Sequence, residues 1–161
     1  MAAESKRFAL ARSALGPDPS HPAPALFAYG SLLLDEVIAA LLGRVPENEQ
    51  VKAPGYRVSK LPDQPYPGLV HDPSSDAHGR IYCELSPKEW AILDSFENPL
   101  YEVQVVMLED GRRALAYVWT VDLLKGASEW TTDSMTGLVL ENYLKWTRSW
   151  REAYDEQAEA S

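Results

Sequence analysis

The sequence is short of the residues that most site chemistries need: one cysteine, three histidines, and 15 basic residues against 24 acidic ones in 161. Cys83 has no second cysteine for an internal disulfide, and together with His21, His71 and His78 it makes no zinc constellation. A net charge of −9 with no basic cluster argues against a phosphate-backbone partner and disfavours an anionic membrane surface. No run approaches the ~18 consecutive apolar residues of a membrane span. Neither a Gly-Lys-Ser/Thr phosphate loop nor a Gly-x-Ser-x-Gly elbow is present. What is there, 45% apolar and 24% charged residues, is the composition of an ordinary globular chain, and its length suits one domain with its own core. The expectation is a soluble, cytoplasmic domain that binds no nucleic acid, membrane or metal.

Residues 1–24 read as a flexible, Pro-rich extension ahead of a domain over 25–158. Pro17, Pro19, Pro22 and Pro24, with Gly16, Asp18 and Ser20, work against regular structure there. Lys6, Arg7 and Arg12 give the start a faint transit-peptide flavour, which Glu4 and Asp18 oppose. Leu26-Phe27-Ala28-Tyr29 predicts a buried strand stopped by Gly30-Ser31. Asp35 then suits a helix N-cap, and Gly43 its end. Pro54-Gly55 interrupts the next extended stretch, leaving a short strand around Tyr56 and Val58. Residues 66–70 form another short piece, joined by a loop over His71–Asp76 to a strand over Arg80–Leu85. In that strand Ile81, Cys83 and Leu85 alternate with Arg80, Tyr82 and Glu84, so Cys83 reads as a small core hydrophobe rather than a nucleophile.

Ser86-Pro87-Lys88-Glu89 is a capping box with proline at the first helical position, and Asn98-Pro99 stops the helix it begins. Two alternating strands, Tyr101–Leu108 and Ala114–Val121, flank a hairpin signal over 109–112. Val139, Tyr143, Trp146, Trp150 and Tyr154 mark one face of a long C-terminal helix, expected to dock on the sheet. Six or seven short strands with separate helices make the chain α+β.

Two places can carry chemistry. The turn Tyr29-Gly30-Ser31-Leu32 lies between a strand and a helix, where a glycine lets backbone approach a ligand and free N–H groups can hold an anion. The plainer alternative is an ordinary connecting turn. Glu97 falls in the last turn of the capped helix, three residues after Asp94. The helix dipole and the neighbouring carboxylate both favour its protonated form, and desolvation would raise its pKa towards a useful acid–base range. An exposed acid of no consequence is the alternative.

Read in order, Phe27-Ala28-Tyr29-Gly30-Ser31-Leu32, Tyr66-Pro67-Gly68, Gly79-Arg80-Ile81-Tyr82 and Leu93-Asp94-Ser95-Phe96-Glu97, with Tyr101 and Ala116-Tyr117-Val118-Trp119, resemble the γ-glutamylcyclotransferase-like family. The plant and fungal avirulence-induced branch is the nearest in flavour. The resemblance covers about residues 26–122, and the Trp130-to-Tyr154 stretch fits more loosely. It implies a small mixed β-barrel with flanking helices and a long C-terminal helix. By the same resemblance Glu97 is the catalytic residue, Tyr29, Gly30, Ser31 and Leu32 form the substrate loop, and Tyr101 and Tyr117 line the pocket. The implied reaction is cofactor-free conversion of a small γ-glutamyl compound to 5-oxoproline and a free amine. The Pro-rich extension and Gly68 depart from the family pattern and bear on substrate choice. The rivals are a non-catalytic binding member of the same fold, and a related enzyme of specialised metabolism acting on another substrate.

Overall fold

In a computed structural model, which describes residues 5–16, 24–120 and 128–160, the chain forms a mixed five-stranded sheet with helices packed around it. Helix α1 (Lys6–Leu15) precedes strand β1 (Leu26–Ala28) and helix α2 (Asp35–Leu42). Strands β2 (Asn48–Lys60) and β3 (Pro67–Tyr82) follow, then helix α3 (Pro87–Phe96). Strands β4 (Tyr101–Met107) and β5 (Arg113–Trp119) lead to the long helix α4 (Gly137–Ala160). The sheet order is β2-β3-β1-β5-β4, with β1 antiparallel to β3 and parallel to β5. No helix among the described residues is long and apolar enough to cross a membrane.

The α+β class holds, but the sheet is not a closed barrel. Its edge strands β2 and β4 form no ladder with each other; Glu109 N–H donates to the Lys52 carbonyl (3.0 Å) where they approach. The centre of the sheet matters more for function. Strand β1 is three residues long, and beyond its end β3 pairs directly with β5 at Leu69 and Val118. The chain therefore leaves the middle of the sheet at Tyr29, where the strands on either side of β1 come together.

Two interruptions read from the sequence lie inside long strands. Tyr56 pairs with His71 and Pro54 with Asp76, so residues 72–75 bulge out opposite Gly55 instead of joining two strands. Asp72 holds the bulge together, accepting from Ser74 Oγ (2.8 Å) and Ser75 Oγ (2.9 Å). Long pairing on both sides outweighs the local turn preference. Tyr82, expected on the polar face, is fully buried, and Leu85 lies beyond the strand. The Tyr82 hydroxyl donates to the Leu32 carbonyl, so the turn after β1 covers the face read as polar, while at Gly79 alone a Cβ would sit 2.2 Å from the Ala28 carbonyl.

The helices also depart in places from expectation. Leu34, not Asp35, caps α2, and Asp35 and Glu36 occupy its first turn, where negative charge suits the dipole. In α3 the capping box forms as read: Ser86 Oγ accepts from Glu89 N–H and the Glu89 carboxylate accepts from Ser86 N–H. The extension is not uniformly flexible. Ser5 caps α1, Phe8 and Ala11 are buried, and the Phe8 ring lies 4.8 Å from that of Trp90. The prolines at 17, 19 and 22 lie outside the described residues. The stripe on α4 does not lie across the sheet. Arg151 donates to the Leu41 carbonyl of α2, the Phe96 ring at the end of α3 is 5.0 Å from Trp150, and Val139 is exposed.

Candidate functional site

Hydrogen bonds to other elements hold the segment that follows β1. Tyr29 Oη donates to the Tyr117 carbonyl of β5, and Tyr82 Oη donates to the Leu32 carbonyl (2.7 Å). Ser31 opens a 3-10 turn over Ser31–Leu33, and its Oγ bonds Tyr143 Oη of α4 at 2.9 Å. The first N–H groups of such a turn have no acceptor within it. Gly30 has a negative φ, so glycine is not required there by a left-handed backbone. It is required by crowding: a Cβ would lie 2.8 and 2.9 Å from the ring carbons of Pro67.

Glu97 approaches from the other side. It caps the C-terminus of α3 with its N–H on the Leu93 carbonyl (3.0 Å) and an extended ψ of 139°. That change of direction ends the helix and lets Glu97 line a cavity of about 190 Å³ with Tyr29, Tyr66, Tyr101, Tyr117 and Tyr143. Trp146, 49% exposed, stands at its edge. Tyr101 Oη donates to the Pro67 carbonyl. Among the described residues Glu97 is the sole charged side chain in the lining, and none of them donates a hydrogen bond to its carboxylate.

This setting raises Glu97 from the ordinary 4.5 to about 7. Burial is the main cause; Asp94 pushes in the same direction and Arg7 opposes it. Of the causes anticipated from sequence, desolvation is the largest and Asp94 contributes in the same direction. Burial also lifts the hydroxyls of Tyr101, Tyr117 and Tyr143 above their usual range, so they stay neutral hydrogen-bonding groups.

All the residues singled out from sequence, Tyr29, Gly30, Ser31, Leu32, Glu97, Tyr101 and Tyr117, line this one cavity. Tyr143 was visible only as part of a helical stripe, and here its hydroxyl faces Ser31. Tyr66 lay in a quoted motif without a role. Arg7 was read as part of an unstructured lead-in, yet it lies against the helix end that carries Glu97. Cys83 is partly buried away from the cavity and its thiol is pushed up by desolvation, which is the opposite of an activated nucleophile. Among the described residues no group of three His, Cys, Asp or Glu side chains could hold a metal.

A family model described as gamma-glutamyl cyclotransferase, AIG2-like matches residues 26–135. The chain belongs to this family. It is 28% identical over 137 residues to AIG2-like protein D of Arabidopsis thaliana, covering 79% of this chain and 88% of that one. AIG2-like protein C of the same plant is 33% identical over 99 residues, 58% of each chain. A solution structure from Arabidopsis thaliana aligns with a TM-score of 0.57 at 25% identity, covering 91% of both chains. The AIG2-like match begins at the first residue of β1 and closes before α4. It contains the seven site residues read from sequence and leaves out Arg7, Tyr143 and Trp146.

Proposed function

We propose that the chain is a γ-glutamylcyclotransferase with Glu97 as its general acid–base residue. The observation that carries this reading is a single carboxyl, raised to about 7 by burial, inside an aromatic cavity beside the turn that opens at Ser31. The cavity of about 190 Å³ is below the ~300–1,000 Å³ of sites for drug-sized ligands, which suits a group the size of a γ-glutamyl residue.

The reaction joins two parts of one molecule. The α-amine of the γ-glutamyl group arrives as ammonium, gives a proton to the Glu97 carboxylate, and attacks its own γ-carbonyl. The tetrahedral oxyanion is steadied by N–H groups of the 30–32 turn. Glu97 then hands that proton to the leaving nitrogen as the C–N bond breaks, and the second proton of the ring nitrogen passes by the same carboxylate to the departing amine, so that 5-oxoproline keeps one lactam N–H and the amine leaves as its ammonium. Because nucleophile and electrophile share one chain, folding the substrate supplies much of the rate, and no cofactor is needed. A base near 7 is half ionised at cytoplasmic pH, where this reading places the enzyme.

The test is a panel of γ-glutamyl compounds assayed for 5-oxoproline with wild type and Glu97→Gln. Release by the wild type and loss in the variant supports the reading. Binding without turnover, equal in both proteins, would make the chain a non-catalytic binding member of the fold.

A further inference from the structure

Outside the cavity, the Arg7 guanidinium makes five hydrogen bonds to one short segment. Nε donates to Asp94 Oδ1 (2.9 Å) and Nη2 to the carbonyls of Asp94 (2.7 Å) and Glu97 (3.1 Å). Nη1 donates to the carbonyls of Asn98 (2.8 Å) and Tyr101 (2.9 Å). An arginine has five N–H donors, and all five converge on residues 94–101. The guanidinium carbon also lies 5.0 Å from the centre of the Tyr117 ring, and Tyr117 Oη donates to the same Asp94 oxygen at 2.8 Å.

Those carbonyls belong to the end of α3 and the corner into β4, where a helix leaves acceptors without partners and a partial negative charge. An arginine there satisfies both. Its own helix is well anchored: Phe8 packs on Trp90, Ala11 is buried, and Arg113 Nη2 donates to the Leu15 carbonyl (2.9 Å). Arg7 is therefore held from behind while it holds the corner in front. Helix α1 also lies outside residues 26–135, the span matched by the family model.

We propose that Arg7 is a positioning residue: from the helix ahead of the family-matched domain, it clamps the α3–β4 corner and sets the place of Glu97 in the cavity. The proposal rests on the reading of Glu97 as the acid–base group. Its chemical consequence follows from the groups around that carboxyl. Facing it are Arg7 from α1, Asp94 from its own helix, Tyr29 after β1, Tyr66 before β3, Tyr101 on β4, Tyr117 on β5 and Tyr143 on α4. Burial keeps the hydroxyls of Tyr29, Tyr101, Tyr117 and Tyr143 neutral, so Arg7 supplies the positive charge that favours an ionised Glu97 against burial and Asp94.

The experiment compares full-length wild type, Arg7→Met and Arg7→Lys by two readouts. One is the pH dependence of kcat and KM for 5-oxoproline release. The other is ¹³C NMR titration of the Glu97 carboxyl, assigned with Glu97→Gln, which needs no substrate. Arg7→Met is expected to move the Glu97 midpoint up by roughly one pH unit. It should also lower kcat on the order of 10²-fold, with a smaller change in KM. Arg7→Lys keeps the charge and loses the fork, so its titration stays near wild type while kcat stays reduced. If Arg7→Met does not fold, Arg7→Lys decides: wild-type kcat in it overturns the clamp. A lower Tm in Arg7→Met with unchanged kcat and an unchanged Glu97 midpoint would make α1 only a stabilising helix and overturn the proposal. If wild type releases no 5-oxoproline, the functional reading fails, and the titration still reports whether Arg7 governs Glu97.

Discussion

Asp94 and Glu97 are carboxylates one helical turn apart, and their surroundings are opposite. Asp94 Oδ1 accepts from Arg7 Nε and Tyr117 Oη, so its charge is paired. Glu97 has the cavity around it, no described donor, and a carboxyl raised to about 7. The same residue class at the same helix end thus stands in two settings: one carboxylate ties elements together, and the other is the one to which the proposed mechanism gives the proton. Hydrogen-bonding partners, more than helix position, separate the two.

The largest effect expected from breaking this contrast comes from Glu97→Gln, which keeps the shape and removes the proton acceptor. Turnover should fall by about 10²–10⁴. Stability moves the other way. A carboxyl whose folded pKa lies above its unfolded value binds more protons when folded, so wild-type stability declines as pH rises from 4.5 to about 7. Thermal melts of wild type should show that decline, and melts of Glu97→Gln should show less of it. Asp94→Asn is no neutral control, because it weakens the Arg7 and Tyr117 contacts together; it should lower both Tm and kcat.

Gly30→Ala comes next. Its Cβ must displace Pro67, whose carbonyl receives the Tyr101 hydroxyl. A displacement near 1 Å at a reacting site costs on the order of 10²-fold, so steady-state kcat/KM should drop far more than the melting temperature. Ser31→Ala is milder. It leaves the buried Tyr143 hydroxyl without its partner, costing about 1–3 kcal/mol in a denaturant titration, with most of the turnover retained. The smallest change is expected at Arg44, whose bidentate contact with Glu89 (2.7 and 2.8 Å) is on the exposed side of α3. Arg44→Ala should cost no more than about 1 kcal/mol and leave kcat unaltered. A large kinetic effect there would mean that any cation on α3 governs the site, and the special place of Arg7 would be lost.

The seven residues read from sequence were legible because ordered short motifs carried them, and the capping box of α3 was legible because its spacing is local. The pieces that needed distant partners were not. Tyr143 reaches Ser31 across 112 positions, and Arg7 reaches Asp94 across 87; neither distance leaves a trace in local spacing. Helix α1 did leave one: Ser5 as cap, with Phe8, Ala11 and Leu15 on one face. Nearby prolines masked it. The open sheet was hidden for a related reason, since closure depends on how the β2 and β4 edges meet rather than on any strand's own pattern.

The central claim is that Glu97, partly buried and half ionised near pH 7, takes the proton of a γ-glutamyl amine. The direct measurement is kcat/KM for 5-oxoproline release by wild type from pH 5 to 9, with a substrate identified from the panel. The account predicts that kcat/KM, which reports the free enzyme, rises with pH through a midpoint near 7, the value assigned to Glu97. A kcat/KM that is flat across this range, or that falls as pH rises through 7, would contradict it.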